Sequence, residues 1–199
     1  FGLENPSTLS SVNNLASTYM KQGRWKDAEV LEFEVLEKRK RILGLENPST
    51  LSSMNNLALT YMKQGRWEDA ETLQLEVLEK QRRILGFENT STLTSMNNLA
   101  STYMKQGRWK DAETLQLEVL EKQRRVLGFE HPDTLSSMHN LAFIYKAQHQ
   151  DREAMILMKE VVRLRRQKLR PEHPYTILSS RFLDKWWEEV AEMEKEAAT

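Results

Sequence analysis

Cysteine is absent from the 199-residue chain, which excludes disulfides, thiolate nucleophiles and cysteine-ligated metals. Neither sign of charge is in excess. Twenty-nine lysines and arginines meet 29 aspartates and glutamates, so no overall field draws the chain to nucleic acid or to an acidic membrane. No stretch approaches the roughly 18 consecutive apolar residues that cross a bilayer, and no charged, apolar, small-residue leader opens the sequence. These features fit a cytoplasmic chain. A starting methionine is missing too: Phe1 stands inside a loop that elsewhere reads Gly-Phe-Glu, as expected of a piece cut from a longer protein or of a processed product.

What is present is a repeat. Met54 to Arg83 returns almost unchanged as Met96 to Arg125; Tyr19, Tyr61, Tyr103 and Tyr145 are spaced by 42, as are Trp25, Trp67 and Trp109. A period of this length signals a stacked array, in which one central core is replaced by a series of interfaces between neighbours. The units are read as 2–43, 44–85, 86–127 and 128–169, with 170–199 as a partial fifth repeat and C-terminal capping helix.

Each unit carries two helical patterns joined at a glycine. Asn47 followed by Pro48 suits an N-cap with proline at the first helical position. From there Leu51, Met54, Leu57, Ala58 and Tyr61 recur at steps of three and four, one side of a 3.6-residue helix. Gly65 ends it, and Trp67 opens a second helix whose inward stripe is read as Ala70, Leu73, Val77, Leu78, Ile84 and Leu85, stopped at Gly86. Gln74 and Gln81 fall within this stripe by helical angle, where their amides are expected to hydrogen-bond a neighbouring backbone or helix. Acidic residues early in the second helix and basic ones late match its dipole. The fourth unit drifts, with His149, Gln150 and Asp151 in place of Gly-Arg-Trp. A last helix carries Leu178, Phe182, Trp186, Val190 and Met193 as one stripe, ahead of a tail expected to fray. The fold class is therefore all-α, a solenoid of helix-turn-helix repeats.

The run Asn-Leu-Ala, Tyr, Gln-Gly-Arg-Trp, Asp-Ala-Glu, as in Asn56 to Glu71, resembles the tetratricopeptide repeat. The 42-residue period and the Leu-Gly-x-Glu-His/Asn-Pro connector at Leu43–Pro48 and Leu127–Pro132 resemble the repeats of kinesin light chains, and of the nearly identical repeats joined to nucleotide-binding (NB-ARC or NACHT) domains in fungal immune-receptor-like proteins. The resemblance implies a right-handed superhelix in which each first helix lines the concave side and each second helix lies outside. It departs from the shorter repeat at Glu32, Gln74 and Gln116, where a large apolar residue is usual, and it lacks the basic first-helix residues that clamp a terminal carboxylate.

On a helical wheel Ser52, Asn55, Asn56, Leu59 and Lys63 lie opposite the packed stripe. At the slot of Leu59 the units read Ser17, Leu59, Ser101 and Phe143, a graded spot that fits either selective binding or drift on a solvent face. Asn14, Asn56, Asn98 and Asn140, beside Asn13, Asn55 and Asn97, form a ladder of amides, each offering donor and acceptor. Such a ladder suits the backbone of an extended peptide; the resemblance carries that role to the asparagine before Leu-Ala. The alternative is that the amides bridge adjacent first helices. Lys21, Lys63 and Lys105 add positive charge favouring an acidic partner.

No enzyme signature is present. His131 and His173 hold the capping slot of Asn47, His139 replaces a ladder asparagine, and His149 sits in a turn. No histidine pair has metal-ligand spacing with a carboxylate, no glycine loop cradles phosphate, and no basic face reads nucleic acid. The expected role is a protein-interaction scaffold without cofactor or metal, binding a protein or peptide on the concave face, with neither nucleic acid nor membrane as partner. The alternative is end-to-end self-association through an uncapped first unit exposing Leu9 and Val12.

Overall fold

The computed structural model describes residues 5–197, and side chains up to residue 196 except 193 and 194. Among them are nine α-helices: α1 Pro6–Lys21, α2 Trp25–Leu43, α3 Pro48–Lys63, α4 Trp67–Leu85, α5 Thr90–Lys105, α6 Trp109–Val126, α7 Pro132–Ala147, α8 Asp151–Leu169 and α9 Pro174–Ala197. The chain divides into two compact units, one ending at Gln106 and holding α1–α5, the other starting at Gly107 and holding α6–α9. Within each, helices pack in chain order, every helix against the one before and the one after.

The first helices begin as the sequence dictates. Asn5, Asn47 and Asn89 each accept, through the side-chain oxygen, the N–H two residues on, at 2.9 Å. His131 and His173 do the same through Nδ1 at 3.2 Å, so both histidines are caps. The second helices begin differently. Arg24, Arg66 and Arg108 precede α2, α4 and α6 without a side-chain cap bond. Their Nε instead donates to Asp27, Asp69 and Asp111 at 2.7–2.8 Å. The guanidinium of Arg24 stacks 3.9 Å over Tyr19, and that of Arg66 4.0 Å over Tyr61.

In the first unit the core gathers Leu36, Leu51, Met54, Leu57 and Val77, with Tyr61 and Leu73 packed against it. In the second, Leu135, Met138, Leu141, Met158, Val161 and Trp186 belong to one core, flanked by Phe143, Tyr145 and Phe182. Buried polar pairs cross the first-unit interfaces. Thr60 Oγ1 donates to Glu32 at 2.6 Å, and Thr102 Oγ1 donates to Gln74 at 2.7 Å, the same pair one period later. Gln64 bridges to Glu29 and Gln106 to Glu71; in the second unit Gln148 bridges to Glu113.

Several expectations need correcting. Ile84 and Leu85 are 44% and 38% exposed, because α4 has 19 residues against 16 in α3 and its last turn overhangs. The inward places fall to Gln74 and Gln81, both buried. Trp67, at the first position of α4, is half-buried, and Trp25 is 40% exposed. Leu9 is buried and Val12 half-buried; the residue left open on α1 is Leu15, 44% exposed where its counterpart Leu57 is 2%. Leu9 shares the slot of Leu51, and Leu15 that of Leu57. On α9 Leu178 is exposed and Leu183 takes the buried place beside Trp186; the Met193 side chain and the tail's last two residues lie outside the described residues.

The glycines at 23, 44, 65, 86, 107 and 128 stand 21 apart and all have positive φ. The next two places in this series are His149, φ 60°, and Arg170, φ 73° with ψ 155°. The latter is a region open essentially to glycine alone, costing another residue about 1–3 kcal/mol. Arg170→Gly should therefore raise stability by roughly 1–2 kcal/mol in denaturant titration, the gain being trimmed by glycine's unfolded-state entropy.

Glu32 offers a second check. It is 4% exposed, and burial raises its carboxyl pKa against the opposing effect of the Thr60 hydroxyl. A carboxyl raised above its unfolded value folds best when protonated: the advantage is whole below the ordinary 4.5 and fades as pH rises through the folded value. Glu32→Gln installs the amide found at Gln74. It should stabilise the chain by roughly 1 kcal/mol at pH 7 and by nothing at pH 4, measured as the difference between variant and parent chain.

Candidate functional site

The sequence-derived residues fall on successive first helices, and the two units present them separately. In the first unit, α1 carries Asn13, Asn14, Ser17 and Lys21; α3 carries Asn55, Asn56, Leu59 and Lys63; α5 carries Asn97, Asn98, Ser101 and Lys105. Asn14, Ser17, Leu59 and the three lysines are exposed, while Asn13, Asn55, Asn56, Asn97, Asn98 and Ser101 are half-buried. In the second unit Asn140 and Phe143 sit on α7, both half-buried.

The amides are engaged between helices. Asn56 Nδ2 donates to Asn13 Oδ1 at 3.2 Å, tying α3 to α1, and Asn55 Nδ2 donates to Ser95 Oγ at 3.1 Å, tying α3 to α5. This is the bridging role for Asn13, Asn55 and Asn56. An amide has two donors and a two-lone-pair acceptor, so one such bond leaves capacity for a ligand. Lys21, Lys63 and Lys105 end their helices, where a cation also meets the negative end of the dipole. The sulfurs of Met20 and Met62, at the edge of the packed stripe, lie 3.0 and 3.2 Å from the hydroxyl oxygens of Thr60 and Thr102, a packing contact, since those hydroxyls give their hydrogen to Glu32 and Gln74.

Phe143 is placed differently from Ser17, Leu59 and Ser101. Its ring meets Phe182 at 4.6 Å, Trp186 at 5.2 Å and His139 at 4.9 Å between centroids, so it anchors α7 to α9. His139, in the slot of Asn55, touches Ser179 through Nδ1 at 3.0 Å, the counterpart of the Asn55–Ser95 bond. Burial, aided by the nearby Arg165 charge, lowers the His139 pKa to about 4, so the ring is neutral at ordinary pH. Arg165 donates to the same Ser179 hydroxyl, which leaves that hydroxyl's hydrogen for His139 Nδ1.

Sequence reasoning missed the arginine slot. Arg39, Gln81, Gln123 and Arg165 stand 42 apart, and the signal was this alternation of Arg and Gln in a helix otherwise repeated nearly verbatim. No group of three or more His, Asp or Glu able to hold a metal ion occurs among the described residues, and no described helix is long and apolar enough to cross a membrane.

The tetratricopeptide repeat profile matches residues 91–167 in one form and residues 8–49 and 50–90 in another. No curated protein matches the chain by sequence. Among solved structures, a Podosopora anserina protein described by its kinesin light chain nearly identical TPR-like repeats is 32% identical with a TM-score of 0.80, covering 98% of this chain and 91% of that one. BtubC (BKLC) from P. vanneervenii is 20% identical with a TM-score of 0.80, covering 96% of this chain and 76% of that one. A Rap protein complexed with competence and sporulation factor shares the fold at 11% identity and a TM-score of 0.75, covering 94% of this chain and 50% of that one. By its 42-residue period, its capped helix pairs and these matches, the chain belongs to the tetratricopeptide repeat family and is similar in structure to kinesin light chain-like repeat proteins.

Proposed function

We propose that this chain is a protein-interaction scaffold whose first-helix face, on α1, α3 and α5, holds an extended peptide. Tetratricopeptide repeats are a non-catalytic scaffold family that generally binds proteins or peptides. The observation that carries the finer reading is Leu59: it is 38% exposed in the middle of the unit, flanked at equivalent places by Ser17 and Ser101. An apolar side chain there adds nothing to the packed core, whereas between two small residues it offers a peptide side chain something to rest on. Asn14, Asn56 and Asn98 supply donors and acceptors beside it, and Lys21, Lys63 and Lys105 favour an acidic ligand. Asn140 belongs to the second unit's version of the surface, where Phe143 serves packing as much as contact.

Peptides selected from a random display library against the whole chain provide the test. Leu59→Arg should weaken them at least tenfold, about 1.4 kcal/mol or more, with the melting temperature moved little. Equal affinity for the variant overturns the groove.

A second reading rests on Leu15. Its exposure against the burial of Leu57 leaves α1 with an apolar edge that another copy could cover. Sedimentation equilibrium should then show mass rising with concentration and a return to monomer in Leu15→Arg. A strict monomer removes this reading and leaves the groove.

A further inference from the structure

Position 39 recurs at 81, 123 and 165, near the end of each second helix. In the first unit Arg39 reaches from α2 to α3, Nη1 donating to Ser49 O at 3.0 Å and to Ser53 Oγ at 2.7 Å. In the second unit Arg165 reaches from α8 to α9 and donates to Tyr175 O at 3.1 Å and to Ser179 Oγ. Tyr175 and Ser179 lie 126 residues, three periods, beyond Ser49 and Ser53. The same place therefore holds a guanidinium twice.

Gln81 interrupts this. Its amide stops two bonds short of where a guanidinium carbon would lie, and the corresponding acceptors on α5 are Ser91 O and Ser95 Oγ. A groove of about 220 Å³ opens there within the first unit, bordered by Gln81 and Ser91 and walled by Leu51, Asn55, Ile84 and Leu85. Gln81 is only 5% exposed, and both its Oε1 and the Oδ1 of Asn55 are buried without a hydrogen-bond partner. Buried acceptors left in this state are rare and costly. Both are oxygens, so the missing partner is a donor.

Glu46 stands at the mouth and is paired with Arg83, so recognition falls to the neutral oxygens inside. A guanidinium offers five N–H donors and no acceptor, and its aliphatic stem suits the exposed sides of Ile84 and Leu85. Ser52 and Asn55 border the same groove and lie on the face read above as peptide-binding.

We propose that the groove bordered by Gln81, Asn55 and Ser91 receives the guanidinium of an arginine side chain carried by the bound peptide, in the place that Arg39 and Arg165 fill from within the chain. The inference rests on the peptide-binding reading for the origin of the arginine, while the pocket itself can be tested alone. N-acetyl-arginine amide titrated into the isotopically labelled chain should shift the side-chain amide signals of Asn55 and Gln81 and the backbone N–H of Ser91, saturating at about millimolar concentration, as expected of a small ligand. N-acetyl-citrulline amide, equal in shape but uncharged, should bind at least fivefold more weakly. Gln81→Arg fills the pocket with its own side chain: it should melt higher and bind the probe at least tenfold more weakly. Gln81→Met keeps the space, removes the acceptor and should also weaken the probe, so the result does not depend on one variant folding.

Absence of shifts at these three residues, equal binding of citrulline, or unchanged binding in both variants overturns the proposal. Should library peptides still bind and still be weakened by Leu59→Arg in that event, the peptide groove stands without an arginine pocket. Should the probe bind while no peptide does, the pocket stands and the groove falls.

Discussion

Two alanines in every helix pair set the distance on which the rest depends. Ala16, Ala58, Ala100 and Ala142 in the first helices, and Ala28, Ala70, Ala112 and Ala154 in the second, have no accessible surface at all. A larger side chain at these points would push helices apart by the width of the added atoms, and a core packed at crystal density answers such a push with strain. Close approach in turn brings hydroxyls and amides within bonding range across the interface. Thr60 finds Glu32 and Thr102 finds Gln74 only because the backbones that carry them are held near.

That polar layer explains why the second helices tolerate Glu32 and Gln74 where an apolar residue is usual in the shorter repeat. A buried amide with a fixed partner fixes register as well as energy, since sliding one helix by a turn would orphan both groups. The carboxylate at Glu32 makes the same bond at a higher desolvation cost. In the second unit the threonine slot becomes Ile144 while its partner slot, 28 residues earlier, stays Gln116, both buried, so there the hydroxyl is lost and the amide kept.

Much of this was legible in the sequence because a repeat states its own period. Helix starts at Asn47 and Pro48, the inward places of Leu51, Met54, Leu57 and Ala58, and the capping histidines 131 and 173 all follow from local rules that need no partner. The exposure of Ile84 and Leu85 did not follow, since helical angle is blind to where the neighbouring helix ends. The candidate site was legible only in outline. Helical angle alone groups Asn55, Asn56, Leu59 and Lys63 on α3, yet the bonds from Asn56 to Asn13 and from Asn55 to Ser95 depend on the register between helices forty residues apart, which no single-helix wheel contains. Arg39 and Arg165 were overlooked because arginine near a helix C-terminus has a ready explanation in the dipole.

The bonds that hold the first unit together reach from one helix pair to the next, as from Gln64 to Glu29 and from Gln106 to Glu71. Contacts of this kind transmit order to neighbours only, so resistance to opening should build up along the array instead of being shared evenly. Amide protons of α3, tied to both α1 and α5, would then be slow to trade with solvent. α3, which carries Leu59, would thus be one of the stiffest segments in its unit, leaving little order to be imposed there by anything that binds.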